Sequence, residues 1–311
     1  MPPKLKPKPE QLLDLPTGPS GVGWSQISPL VECPKKYQFS KVRGIERAGL
    51  YLTDALSVGS LLHAGRAQWF HDGRQGELWR KQITAHAAKM NSEPGPKLAL
   101  GAVDKSLTTF EGYINYWRVR PTTEVLAVEY PIGPRGVTPT SPKENWRTTR
   151  LDSIEHEHGK TWIGEAKSVY AGGASRVTST YELHGQLLLQ ASLWGEEETK
   201  KFGPLAGIML DPMVKGSTEK KPTGAPRTKV LLQSIKHALQ WFRRDFDTWV
   251  EQSRLVTWNA KVERRVSACG TCIYKDLCSR GRDGALSYRF KDGTPLINWK
   301  PSEGKETPPW E

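Results

Sequence analysis

Cysteine is scarce in this chain, long apolar runs are missing, and acidic residues are outnumbered. Of 311 residues only four are cysteine, and 33 Asp and Glu face 45 Lys and Arg, a formal charge of +12. Four thiols are too few to build a disulfide scaffold of this size, and in a reducing compartment clustered thiols are more often metal ligands than bridges. No stretch approaches the roughly 20 apolar residues that span a bilayer. The opening "MPPKLKPKPEQLLDLP" is rich in Pro and Lys and has no apolar block of the signal-peptide kind. A soluble globular protein of the cytoplasm is therefore expected. The absence of a "GxxxxGK[ST]" motif argues against an ATP-driven motor in this chain, and no internal repeat points to a solenoid. Excess positive charge creates a field that attracts polyanions, nucleic acid first among them.

What is present suffices for one large core or two modest ones, since 37% of residues are hydrophobic. Turn-formers and like charges mark residues 1–20, 90–97, 131–145, 215–229 and the closing "KPSEGKETPPWE" as loops or tails. Between them, "DALSVGSLLHAGRAQWFHDG" reads as a helix with Leu56, Leu62, Ala67 and Phe70 near one face, and "QITAHAAKM" and "SLTTFEGYINYWRV" read as two more. "EVLAVEYPI", "WRTTRLDSIEHE" and "KTWIGEAKSVY" carry strand patterns. Further on, "YELHGQLLLQASLWGEE" reads as helix, "PLAGIMLDPMV" as a buried strand, and "VLLQSIKHALQWFRRDFDTWVEQSRL" as one long amphipathic helix. Helices, then a strand run, then helices around another strand give a mixed α/β sandwich.

The central strands carry the chemistry. A two-residue turn at His158-Gly159 sets Glu157 opposite Lys160, Ile154 opposite Ile163, and Asp152 opposite Glu165. Directly opposed side chains share a face about 4.5–5.5 Å apart at Cβ, and Lys167, two residues beyond Glu165, points to that same face. Two neighbouring carboxylates repel unless a positive charge lies between them. With an ammonium alongside, they suit a hard divalent ion such as Mg²⁺ or Mn²⁺, which takes oxygen ligands and keeps waters for chemistry. The plainer alternative is a solvated sheet surface, because Asp, Glu and Lys are common there.

"D152" followed after twelve residues by "E165-A-K167" resembles the core of the PD-(D/E)XK nuclease superfamily. "GSLLHAGR" resembles the helix that supplies a metal-binding histidine, His63, in its RecB-like exonuclease branch, and "HGQLLLQ" lies where that branch has a Gln-x-x-x-Tyr helix, here beginning at Gln186. "CPKKYQF" and "CGTCIYKDLC" resemble the iron-sulfur staple of RecB-like exonucleases, AddB and CRISPR-associated nucleases among them. The resemblance runs from about Ser25 to Cys278. It implies a restriction-endonuclease-like α/β/α sandwich with a mixed central sheet and a helical N-terminal part. It also implies a 4Fe-4S cluster on Cys33, Cys269, Cys272 and Cys278, joining the N- and C-terminal segments. Four thiolates can equally hold zinc, although the usual zinc pattern has two CxxC pairs. The expected organisation is a disordered tail (1–20), a helical part (21–120), the nuclease core (121–255), a cysteine segment (256–285) and a closing tail (286–311).

By the same resemblance, His63, Asp152, Glu165 and the carbonyl of Ala166 would hold one or two Mg²⁺ or Mn²⁺ ions. Lys167 would orient water or stabilise charge on phosphorus, and Gln186 would serve the site. The pattern's tyrosine is missing: Gln190 stands four residues after Gln186, with Tyr181 a little earlier. Glu129 lies where related nucleases often carry an acid, and "HEH" at 156–158 reads as turn chemistry. Arg147, Arg150, Lys220, Lys221, Arg227, Arg243 and Arg244 are expected phosphate contacts, and some of the twelve tryptophans could stack on unpaired bases, most of them being core. The implied function is a metal-dependent DNA exonuclease acting on single strands or duplex ends in recombination, repair or processing, with a helicase or recombination protein as an expected partner. The alternative is a non-catalytic DNA-binding subunit that keeps an iron-sulfur or zinc site as a scaffold.

Overall fold

The computed structural model describes residues 11–16, 22–48, 52–93, 97–118, 123–134, 141–170, 184–216, 226–263, 265, 267, 269 and 272–310. The chain divides into two compact units, residues 1–18, 51–135 and 148–243 in the first, and 19–50, 136–147 and 244–311 in the second. No helix among the described residues is long and apolar enough to cross a membrane.

The first unit is built on a five-stranded sheet in sequential order. Its strands are β2 (Glu124–Ile132), β3 (Thr149–Glu157), β4 (Lys160–Tyr170), β5 (Leu205–Lys215) and β6 (Thr228–Leu231). Only the β4–β5 pair is parallel, so the sheet is mixed. Helices α3 (Asp54–His71), α4 (Leu78–Ser92) and α5 (Ala102–Arg118) bury Val58, Leu61, Phe70, Ile83, Phe110 and Tyr113 in one core with Ala166 and Met213 of the sheet. Helix α6 (Gly185–Leu193) meets β3 and β5. Its Gln186 and Gln190 reach Glu165, whereas the adjacent Ala166 packs in the α3–α5 core. Successive strand residues point to opposite faces, so helices cover both faces of the sheet.

The hairpin follows the expected turn. His158 and Gly159 both have positive φ (50° and 74°), the backbone that matches the right-handed twist of a two-residue hairpin. The ladder then runs in the expected register from Glu157–Lys160 through Ile154–Ile163 to Ser153–Gly164. A Cβ at Gly164 would fall 2.1 Å from Ser153 Oγ and 2.4 Å from Glu155 Oε1, so only glycine lets those buried side chains cross the neighbouring strand.

Several expected boundaries move. Leu56, placed on the buried face of α3 by periodicity, is 62% exposed, while Leu62, Ala67 and Phe70 are buried. The run read as one helix from residue 230 begins as β6, because Thr228–Leu231 pairs antiparallel with β5. The helix α8 starts only at Lys236 and ends at Leu255. The run at 181–197 breaks at Trp194-Gly195 into α6 and α7 (Glu196–Phe202); its first three residues, Tyr181 included, lie outside the described residues. Residues 11–16, expected in a disordered tail, pack on the α3–α4 pair: Gln68 accepts from Leu13 N at 3.0 Å and Gln82 donates to Leu13 O at 2.9 Å.

The second unit holds α1 (Trp24–Glu32), α2 (Pro34–Tyr37), a π-helical turn over Gln38–Val42, and α9 (Lys275–Arg280). Its two-stranded sheet pairs β1 (Ile45–Arg47) with β7 (Tyr288–Phe290), so residues expected in a closing tail are built into the fold. Its core joins Phe39, Ile45, Tyr274, Leu277, Tyr288 and Leu296.

Candidate active site

The β3–β4 ladder stops at Ser153–Gly164, one residue short of Asp152 and Glu165. Beyond that point Asp152 Oδ2 accepts from Ala166 N at 2.9 Å, so the carboxylate itself bridges the two strands. On the other side of β3, Val128 and Tyr130 of β2 pair with Ser153 and Leu151, which places Glu129 beside Asp152. Three carboxylates on three adjacent strands thus lie along one line of the sheet.

Each is held by identifiable partners. His63 on α3 brings Nδ1 to 3.3 Å from Asp152 Oδ2. Helix α3 can approach β4 because Gly59, one turn before His63, lies against Ser168, whose Oγ is 3.1 Å from where a Cβ would stand. Glu165, with 1% of its side chain exposed, receives Lys167 Nζ at 2.5 Å and Gln186 Nε2 at 2.8 Å on Oε1, and Gln190 Nε2 at 2.7 Å on Oε2. Lys167 Nζ also donates to Gln186 Oε1 at 3.3 Å. Gln186 and Gln190 are one turn apart on α6, so a single helical face presents both amides to one carboxylate. Gln190, standing where the family pattern has tyrosine, is fully buried against Glu165.

The electrostatics follow from this packing. Burial alone would raise Asp152, but His63, then Lys167 and Arg66, outweigh it and hold its carboxyl well below the usual range. Burial alone would lower His63, yet the Asp152 carboxylate turns the shift upward. Glu129 is pushed up to about 7, first by burial and then by the Asp152 charge, against the pull of Arg150 Nε at 2.5 Å. Glu129 also has φ 48°, a left-handed backbone that costs a non-glycine residue roughly 1–2 kcal/mol.

Behind the site lies a buried ion network absent from the sequence reading. Arg66, one turn after His63, donates to Asp211 Oδ2 at 3.0 Å and to Glu155 Oε1 at 3.1 Å, and its guanidinium lies over Phe70 at 4.1 Å. Arg227 meets the same two acids at 3.0 and 2.7 Å, and Tyr113 donates to Asp211 at 2.7 Å. The spacing of Arg66 three residues after His63 was the available signal, since both then lie on one side of a helix.

Other expected residues are placed differently. Arg227, expected to contact phosphate, is 8% exposed at its side chain and bound to two acids: a corrected assignment, because burial withholds it from an external polyanion. Arg147 forms a two-point pair with Asp247, Arg244 pairs with Asp245, and Arg243, exposed on α8, donates to Ser192 O. Lys220 and Lys221 lie outside the described residues. In "HEH", His158 forms the turn, as expected, while Glu157 pairs with Lys229.

The four-cysteine site is also corrected. Cys33 is buried, Cys272 and Cys278 pack against the apolar core of the second unit, and Cys269 Sγ donates to Arg265 O at 3.7 Å. Among the described residues the four thiols are not clustered, so neither a 4Fe-4S cluster nor a Cys₄ zinc site is supported. The packing of Cys272 and Cys278 is what a small hydrophobe would adopt. At the β3–β4 opening the chemistry differs. Mg²⁺ is commonly held by only one or two carboxylates and keeps its waters, which Asp152 and Glu165 can satisfy.

The model of the PD-(D/E)XK nuclease superfamily matches residues 23–279. The chain belongs to that superfamily. Membership carries the expectation of nuclease activity on nucleic acid and of divalent metal use. No match was found among curated proteins.

Proposed function

We propose that this PD-(D/E)XK protein hydrolyses phosphodiester bonds in DNA with a divalent metal, as an exonuclease acting on single strands or duplex ends. The observation that carries the reading is the convergence of Asp152, Glu165 and Lys167 where β3 and β4 part, with Glu165 clamped by the α6 amides. Asp152 and Glu165, with His63 and the Ala166 carbonyl, are the proposed ligands of Mg²⁺ or Mn²⁺. Such an ion, when bound, polarises a phosphate and lowers the pKa of water. The depressed Asp152 stays ionised across the physiological range and is ready to ligate. Lys167 Nζ, fixed between Glu165 and Gln186, offers an oriented donor to water or to the charge that develops on the non-bridging oxygens. The Gln186 and Gln190 donors fix the Glu165 rotamer before substrate arrives, which lowers the reorganisation needed in the transition state.

The experiment is digestion of 5′- and 3′-labelled linear DNA, single-stranded and blunt duplex, beside closed circles, with Mg²⁺, Mn²⁺ or chelator. Metal-dependent loss of linear DNA with circles intact is expected. Cleavage of closed circles at the same rate would replace the exonuclease assignment by an endonuclease one.

A further inference from the structure

The second unit contains a cavity of about 430 Å³, within the range of small-ligand sites. Most of its lining comes from Phe290 to Lys305, after the end of the superfamily match at residue 279. Trp258, Phe290 and Trp299 supply aromatic surface, and Lys291, Lys300 and Lys305 supply charge, set against the single acid Asp292.

The aromatic side is rigid. Trp258 stacks on Phe290 with centroids 6.2 Å apart, and its Nε1 donates to Thr307 O at 2.9 Å. Arg43 fixes the same wall from behind, donating to Trp258 O at 2.7 Å and to Pro309 O at 2.7 Å, so its guanidinium is spent on backbone. Trp299 is braced edge-on by Trp310 at 6.0 Å. The three lysines are exposed, and Lys305 Nζ lies 5.0 Å above the Trp258 ring. Nearby Lys41 has a lowered pKa, through burial first and then through the charge of Lys291. Asn298, Thr294 and Ser302 add amide and hydroxyl groups of the kind that meet base edges.

An apolar aromatic wall beside a cluster of ammonium groups matches a nucleotide, whose base stacks while its phosphates seek cations. A purely acidic peptide would leave the aromatic wall unused, and an apolar ligand would leave the lysines unpaired. We propose that this cavity binds an unpaired nucleotide of the nucleic-acid substrate, a strand-holding site built from the chain's own C-terminal segment and separate in its residues from Asp152, Glu165 and Lys167. The inference rests on the reading of the substrate as nucleic acid.

The test uses the full chain and two variants, K291Q/K300Q/K305Q and W299L, whose melting temperatures are compared with the parent's. Binding of an oligodeoxythymidylate and of a blunt duplex is measured by fluorescence anisotropy without divalent metal, across a salt series. Hydrolysis of bis-p-nitrophenyl phosphate with Mn²⁺ reports the catalytic centre alone. The triple variant is expected to bind the single strand about tenfold or more weakly at ~0.1 M salt, with a log–log salt slope smaller by about 2, as three lost contacts imply. Small-substrate hydrolysis should be unchanged. W299L should weaken the single strand more than the duplex. Parent affinity in the triple variant, with the parent itself binding and cleaving DNA, overturns the strand-holding site and leaves the nuclease reading intact. Equal loss on single strand and duplex in both variants overturns base recognition. A parent that neither binds nor cleaves nucleic acid overturns both readings, and the triple variant keeps the test decisive should W299L fail to fold.

Discussion

Three donors reach the Glu165 carboxylate, and they are unequal in what they do. Lys167 carries charge, so Lys167→Ala removes the donor proposed to act on the reacting phosphate while leaving every proposed oxygen ligand in place. Calorimetry should then show Mn²⁺ still bound, with turnover lowered by about 2 kcal/mol or more. Gln190 acts only through Glu165. Gln190→Leu keeps much of the volume but leaves Oε2 without its 2.7 Å partner. A fall of about tenfold in kcat/KM is expected, ~1.4 kcal/mol, together with a lowered melting temperature from the unsatisfied buried oxygen. Loss of stability without loss of turnover in the surviving folded protein would reduce Gln190 to a packing residue. At this scale the carboxylates and Lys167 were legible, because strand alternation alone puts Glu165 and Lys167 on one face. Gln190 was visible only as a missing tyrosine. Its contact depends on how α6 lies on the sheet, which no local pattern encodes.

Helix α3 connects His63 to the sheet through Arg66, so the buried network is a property of elements rather than of single side chains. Breaking one partner leaves another charge buried and uncompensated, a change that costs about 3–5 kcal/mol. Arg66→Ala and Glu155→Gln should each lower the urea midpoint accordingly with an unchanged m-value. The network also predicts an acid transition. Burial raises Asp211, but Arg227 and Arg66 outweigh it and its folded pKa falls to about 2. A depressed carboxyl stabilises the fold above its unfolded value near 4, and that contribution is lost as pH falls toward 2. Unfolding free energy should drop by ~2 kcal/mol across that window in the parent. Asp211→Asn, less stable at neutral pH, should show a flatter profile there; an equally steep one would place the titrating group elsewhere. The hairpin register was readable because His-Gly at a turn dictates the pairing. The start of α8 was not: Val230 and Leu231 suit a strand or a buried helix equally, and the pairing of β6 with β5 decides between them.

For the whole molecule, a charge of +12 sets the expectation that nucleic-acid affinity falls steeply between ~50 and ~200 mM salt. Composition carried that much. It also suggested that the arginines were surface contacts, and Arg227 shows why charge alone cannot place a residue: two buried acids compete for it and hold it inside. The cysteines differ from expectation in a related way: their spacing along the chain resembles a ligand set, but the described side chains are not clustered, and Cys272 and Cys278 pack against the second unit's core. The superfamily was legible because the order His63, Asp152, Glu165, Lys167, Gln186 is a pattern along the chain, and the superfamily match spans all five positions. The most direct test of the catalytic assignment compares the parent with Glu165→Ala on end-labelled single-stranded DNA, with Mg²⁺ or Mn²⁺ and with chelator. Metal-dependent cleavage by the parent and none by the folded variant is the predicted result. Parent-rate cleavage by Glu165→Ala, or intact DNA with the parent in both metals, would contradict it.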